Sequence, residues 1–280
     1  YRFGTTGQWA TYTEEGIAIS HDDGTKNNKA CYIRVTDASG MTREISTSVI
    51  LTDNTKPTVT AKIGNDTWGA DADPSEPKYY ASGEVKLTVD AKDLPPVDTM
   101  TGVASGVKKI EYRTSENGSV WEPYDEAAGI VLREADETNN LAYSFRVTDE
   151  VGNETIISTP VICLDTKKPT ADIKVKDITE WTGVHYVNGS QVPTEIIPAD
   201  HYGIEKVEYL ISDKVLNTAE QAAATWTEGD LANTAFDLRG INGDRSVYVY
   251  AKITDKAGNV NIVNTTQIVL DNTKPTGNIS

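Results

Sequence analysis

Between residues 58 and 164 apolar and polar positions alternate in short runs: TVTAKI at 58–63, EVKLTVDA at 84–91, VKKIEYRT at 107–114, GIVLRE at 129–134, LAYSFRVTD at 141–149 and ETIISTPVICL at 154–164. Alternation with a period of two puts every second side chain on one face, which predicts half-buried β-strands. The runs are rich in Val, Ile, Thr and Tyr, and Gly, Pro, Asn or Asp separates them, so the strands are expected to be antiparallel and joined by tight turns. About seven short strands in about 100 residues predict a two-sheet sandwich of immunoglobulin-like type.

The pattern recurs. VTDASGMTREISTSVILTDNTKPT (35–58), VTDEVGNETIISTPVICLDTKKPT (147–170) and ITDKAGNVNIVNTTQIVLDNTKPT (253–276) repeat one strand, turn, strand and linker. The turn aspartates Asp37, Asp149 and Asp255 are spaced by 112 and 106 residues, and Trp9, Trp121 and Trp226 keep nearly the same step. Such a period is the size of one compact domain, so the chain reads as tandem copies. The expected division is 1–54 as the C-terminal half of a module, 55–166 and 167–272 as complete modules, and 273–280 as the start of a next module or a linker. The chain is thus expected to be an excerpt of a longer polypeptide, with its modules in an extended array.

The repeated TDxxGN explains itself locally. An Asp side chain bonds the backbone two residues on, and Gly152 or Gly258 supplies the positive φ that closes the hairpin, so Asp149 and Asp255 are expected to be turn formers. In LNTAEQAAATW (216–226), Thr218 and Gln221 have capping-box spacing, which predicts a turn or two of helix. The linker DNTKPT is expected to be stiffened by its proline and kept solvated by its charged neighbours.

A formal charge of −16 changes the partner picture, since nucleic acid and anionic membrane both require clustered Lys and Arg. No apolar run is long enough to span a bilayer, so no membrane insertion is expected in this segment. Cys31 and Cys163 occupy non-equivalent places in different copies and are expected to be buried free thiols.

SGVKKIEYRTSENGSVWEPYDE (105–126) and YGIEKVEYLISDKVLNTAEQAAATWTEGD (202–230), with the turns and linkers above, resemble the bacterial immunoglobulin-like repeats of large surface proteins, especially those of Gram-positive gut anaerobes. The fold class expected is all-β, with tandem immunoglobulin-like or fibronectin type III-like antiparallel sandwiches. The resemblance implies an extracellular location at the bacterial surface or cell wall. It also implies a non-enzymatic role in projecting and presenting binding surfaces to a host extracellular protein, immunoglobulin included, or a glycan. The alternative it leaves open is a glycan-binding or spacer region accessory to a carbohydrate-active enzyme.

For catalysis, His21, His185 and His201 lie in different loops, and no HExxH, GxSxG or phosphate-binding glycine loop occurs, so no enzyme is expected. No cofactor is expected either. Calcium is the alternative, because DADPSEP (71–77) and the linker aspartates Asp53, Asp165 and Asp271 concentrate oxygen ligands, although no spacing matches an EF-hand or a repeated acidic cage. The repeated tryptophans are read as packing residues. The unrepeated aromatics His185, Tyr186, His201 and Tyr202 around Trp181 are the candidate ligand site.

Overall fold

The computed structural model describes the chain apart from residues 21, 22, 24, 69–77, 96–103, 134–139, 176, 177, 179, 189–193, 237, 239, 240, 242 and 278–280. The first copy forms β1 (Arg2–Phe3), β2 (Lys29–Thr36) and β3 (Thr42–Ile50), one antiparallel sheet in that order. The second forms β4 (Thr58–Ile63), β5 (Asp66–Trp68), β6 (Tyr79–Ala81), β7 (Val85–Lys92), β8 (Val107–Thr114), β9 (Glu122–Pro123), β10 (Ile130–Leu132), β11 (Tyr143–Asp149), β12 (Glu154–Ser158) and β13 (Ile162–Leu164). The third forms β14 (Thr170–Val175), β15 (His185–Val187), β16 (Thr194–Ala199), β17 (Ile204–Ser212), the helix α1 (Thr218–Ala223), β18 (Thr227–Glu228), β19 (Arg245–Asp255), β20 (Val260–Asn264) and β21 (Ile268–Leu270).

In the second copy the sheets run β10-β7-β4-β5 and β12-β11-β8-β9. Leu87 and Leu132 from the first and Phe145 and Val147 from the second are fully buried, so the two sheets share one core. The third copy repeats this plan, with β14 beside β16, β17, β20 and β21 hydrogen-bonded to β19, and β15 running parallel to β21. Its own core gathers Ile173, Ile196, Val207, Val249 and Ile253. These are immunoglobulin-like, fibronectin type III-like antiparallel sandwiches. The chain divides into two compact units, Tyr1–Tyr79 with Val85–Ile162, and Tyr80–Glu84 with Cys163–Ser280. Cys31 and Cys163 are both buried, and no disulfide joins them.

Three sequence expectations need correction. The run 154–164 is two strands, because the backbone pairing ends at Thr159, whose N–H donates the last rung to the Tyr143 carbonyl at 2.8 Å. Its hydroxyl accepts the Tyr143 N–H at 3.0 Å and donates to the Pro160 carbonyl, and Pro160 has no N–H to continue the pairing. Thr47 and Thr265 accept the N–H of Cys31 and Val249 in the same way. The helix is capped one residue earlier than its spacing suggests. Asn217 accepts the Glu220 N–H at 3.0 Å while the Glu220 carboxylate accepts the Asn217 N–H at 2.9 Å, closing the box. Finally, the linkers at 53 and 165 are not solvated at their first residue. Asp53 and Asp165 are buried.

Candidate functional site

The aromatic site expected from sequence separates into two kinds of place. Trp181 packs against the core of the third copy and donates its indole N–H to the Ile173 carbonyl at 2.9 Å. The ring of His185, on β15, meets it edge-on with centroids 5.4 Å apart. Tyr186, the next residue on β15, points to solvent and is 72% exposed. His201 and Tyr202 lie in the turn between β16 and β17, their rings 4.7 Å apart. His21 and the acidic stretch 71–77 lie outside the described residues.

The repeated tryptophans form a different arrangement, which spacing along the chain did not reveal. In every copy the residue three before the turn aspartate is a cation on the outward face of its strand, and the tryptophan ring lies under it. Arg34 stands 4.1 Å from the Trp9 centroid, Arg146 4.6 Å from Trp121 and Lys252 5.2 Å from Trp226. Each cation also meets a carboxylate. Arg34 pairs with Glu44, Arg146 with Glu111 at 2.8 Å, and Lys252 with Glu208 at 2.6 Å. Burial pushes the Glu111 carboxyl up, but Lys109 and Arg146 overcome it and hold the group below its ordinary value. Glu208 follows the same logic with Lys252 and Lys206. The Trp226 indole N–H is held by the Gln221 carbonyl, so α1 braces the third of these stacks.

The turn aspartates are turn formers, and something more. Asp149 Oδ1 accepts the N–H groups of Val151, Gly152 and Asn153 at 3.0, 2.6 and 2.8 Å, and Gly152 holds φ at 103° as that turn requires. Yet Asp149 closes the inward row Tyr143, Phe145, Val147 and is itself fully buried, as Asp255 is at the end of Val249, Ala251, Ile253. Asn153 Nδ2 donates to Asp149 Oδ2 at 2.7 Å and to the Asp53 carbonyl at 3.0 Å. Asn259 repeats both bonds, to Asp255 Oδ2 and to the Asp165 carbonyl, each at 2.8 Å. A second latch follows two residues later, from Thr155 to the Pro57 carbonyl and from Asn261 to the Pro169 carbonyl.

These bonds draw the linker aspartate against the turn, where a third carboxylate joins them. Oxygens of Asp53, Asp93 and Asp149 lie within 4.8 Å of one another, and so do those of Asp165, Asp200 and Asp255. At that spacing two unit charges repel by roughly 3–4 kcal/mol in an effective dielectric of about 20. Burial pushes the Asp93 carboxyl up, the Gly106 N–H pulls it back, and the charges of Asp53 and Asp149 push it further up. A repeated acidic cage therefore does exist, contrary to the reading of spacing alone.

No family model matches the sequence, and no curated protein matches it. Among solved structures, the chain is similar to the fibronectin(III)-like modules of Clostridium thermocellum CbhA, with 12% identity over 79% of this chain and 100% of that one and a TM-score of 0.35. It is also similar to the FN1–FN3 domains of chicken CNTN1, with 13% identity, 88% and 79% coverage and a TM-score of 0.34. A third is a 1.5-MDa bacterial ice-binding adhesin, with 15% identity, 89% and 75% coverage and a TM-score of 0.31. Among the described residues, no helix is long and apolar enough to cross a membrane.

Proposed function

We propose that this chain is a non-enzymatic, extracellular repeat region of a bacterial surface protein, of the immunoglobulin-like class borne by Gram-positive gut anaerobes, and that its modules present sheet faces to a host extracellular protein. The observation that carries this reading is the outward face of β2, β11 and β19, where a tryptophan ring lies under the same strand cation in all three copies and a carboxylate from a neighbouring strand pairs with it, from β3 in the first copy and from β8 and β17 in the second and third. A face rebuilt with the same chemistry gives equivalent sites, and a multivalent partner such as an immunoglobulin gains avidity from them without any new contact.

Two measurements test the reading. Antibodies to the chain should label intact cells of the organism that makes it, with the label removed by protease shaving; label seen only after lysis would refute the surface location. The whole chain on a sensor should capture a component from a panel of host extracellular proteins, immunoglobulin G included. Silence across the panel would leave the modules as spacers. The exposed Tyr186 favours one second reading, glycan binding at the third copy. Signal on a glycan array that disappears in Tyr186→Ala would support it.

A further inference from the structure

Each compact unit holds one trio of carboxylates, and the two trios are the same construction. Asp53 and Asp165 open their linkers, Asp149 and Asp255 open the hairpin turns, and Asp93 and Asp200 follow directly on β7 and β16. From the middle aspartate to the glycine that starts the next strand, the chain runs 13 residues from Asp93 to Gly106 but 3 from Asp200 to Gly203. The trio survives a ten-residue difference in the loop that follows it, so the carboxylate is placed by the strand and not by the loop.

Backbone N–H groups account for some of the oxygens. Asp165 Oδ1 accepts from Lys167, Asp200 Oδ1 from Tyr202 and Gly203, and Asp255 Oδ1 from Asn259. They do not account for Asp165 Oδ2. That residue is 2% exposed, and its second oxygen meets neither solvent nor any hydrogen-bond donor among the described residues. In the other unit the oxygen without a partner is Asp93 Oδ1, on the half-buried strand-end aspartate. No lysine or arginine among the described residues forms an ion pair with Asp165, Asp200 or Asp255. A buried carboxylate oxygen without a proton donor, on an aspartate grouped with two further carboxylates, calls for a cation.

We propose that each trio binds a divalent cation of calcium's size and hardness. The donor set is all oxygen, which selects calcium, magnesium or manganese over zinc or copper. Calcium holds its oxygens at about 2.3–2.6 Å, so ligands on opposite sides of the ion stand up to about 5 Å apart, and three oxygens within 4.8 Å of one another can share that shell. Magnesium demands a near-ideal octahedron at about 2.0–2.1 Å and gives up its water reluctantly, so a cage of protein carboxylates favours calcium. The ion would tie linker, strand end and hairpin turn together within each unit. This inference stands apart from the surface-repeat reading and holds for these modules wherever the protein resides.

The test is calorimetric titration of the whole chain with calcium chloride after treatment with a chelator. Two equivalents should bind and the melting temperature should rise, with magnesium chloride binding at least tenfold more weakly. Asp200→Asn and Asp93→Asn should each remove one equivalent, and the double variant both. Terbium luminescence on the unaltered chain, quenched by added calcium, gives a reading that needs no variant to fold. No heat and no terbium emission at millimolar metal would overturn the proposal, as would two equivalents persisting in the folded double variant. Equal affinity for magnesium would overturn the size assignment.

Discussion

Asn153 Nδ2 donates to the backbone carbonyl of Asp53 at 3.0 Å across 100 residues of sequence, and the same amide donates to Asp149 Oδ2. One side chain thus fastens the entry linker of a module to its last hairpin, and Asn259 does so again with Asp165 and Asp255. Asn153→Ala or Asn259→Ala leaves a linker carbonyl and a buried carboxylate oxygen without their donor, at a cost of about 1–3 kcal/mol each. Urea unfolding should show that loss. A change below about 0.5 kcal/mol, the scale of an ordinary surface substitution, would mean that the linker is held by other bonds.

The tryptophan stacks make a contrasting prediction about surface residues. Trp121 lies under two guanidiniums, Arg113 and Arg146, while Lys252 stands over Trp226. Each cation–π contact contributes about 0.5–2 kcal/mol, depending on how far it is desolvated. Trp121→Ala should therefore destabilise its module by more than Trp226→Ala does, with Trp121→Phe falling between wild type and Trp121→Ala. An unfolding midpoint unmoved by both alanine substitutions would show that the stacks contribute nothing to stability.

Much of this was legible in the alternation itself. The runs at 58–63 and 107–114 became β4 and β8 with the same bounds, since neither contains a residue that interrupts a ladder. Parity also marked Asp149 as inward, because it stands two residues beyond Val147 and six beyond Tyr143; its role in the turn masked that signal. Asp93 and Asp200 could not be matched by aligning on the glycines Gly106 and Gly203, since the intervening loops differ in length. Alignment from the end of the preceding strand, TVDAKD against EIIPAD, brings them together. The tryptophan stacks were invisible for another reason: each brings a tryptophan from a segment between strands against a cation on β2, β11 or β19, 25 or 26 residues further along the chain.

Thr159 offers a test of the strand break. Its hydroxyl accepts the buried Tyr143 N–H, and Thr265 does the same for Val249. Thr159→Val keeps the shape but strands the N–H, which should cost about 1–3 kcal/mol, whereas Thr159→Ser should retain most of the stability. Both are read from denaturant midpoints with unchanged slope. Equal stability of the Val and Ser variants would show that the hydroxyl is dispensable and that Pro160 alone ends the strand.

Acid should weaken the second and third copies through equivalent glutamates. Burial by itself would raise Glu208 above its ordinary 4.5, but Lys252 at 2.6 Å and Lys206 at 3.1 Å hold it lower, and Lys109 and Arg146 do the same for Glu111. A carboxyl whose folded pKa lies below its unfolded one stabilises the fold when ionised. That contribution is complete above the unfolded value near 4.5 and is lost as the pH falls through the folded value. Unfolding free energy measured from pH 7 downward should therefore begin to drop as the pH approaches about 4.5 and continue to fall below it. Glu208→Gln should lower stability at pH 7, since Lys252 loses its partner, and should flatten the decline of the third module in acid. An acid profile unchanged in Glu208→Gln would mean that this pair contributes equally to the folded and unfolded chain.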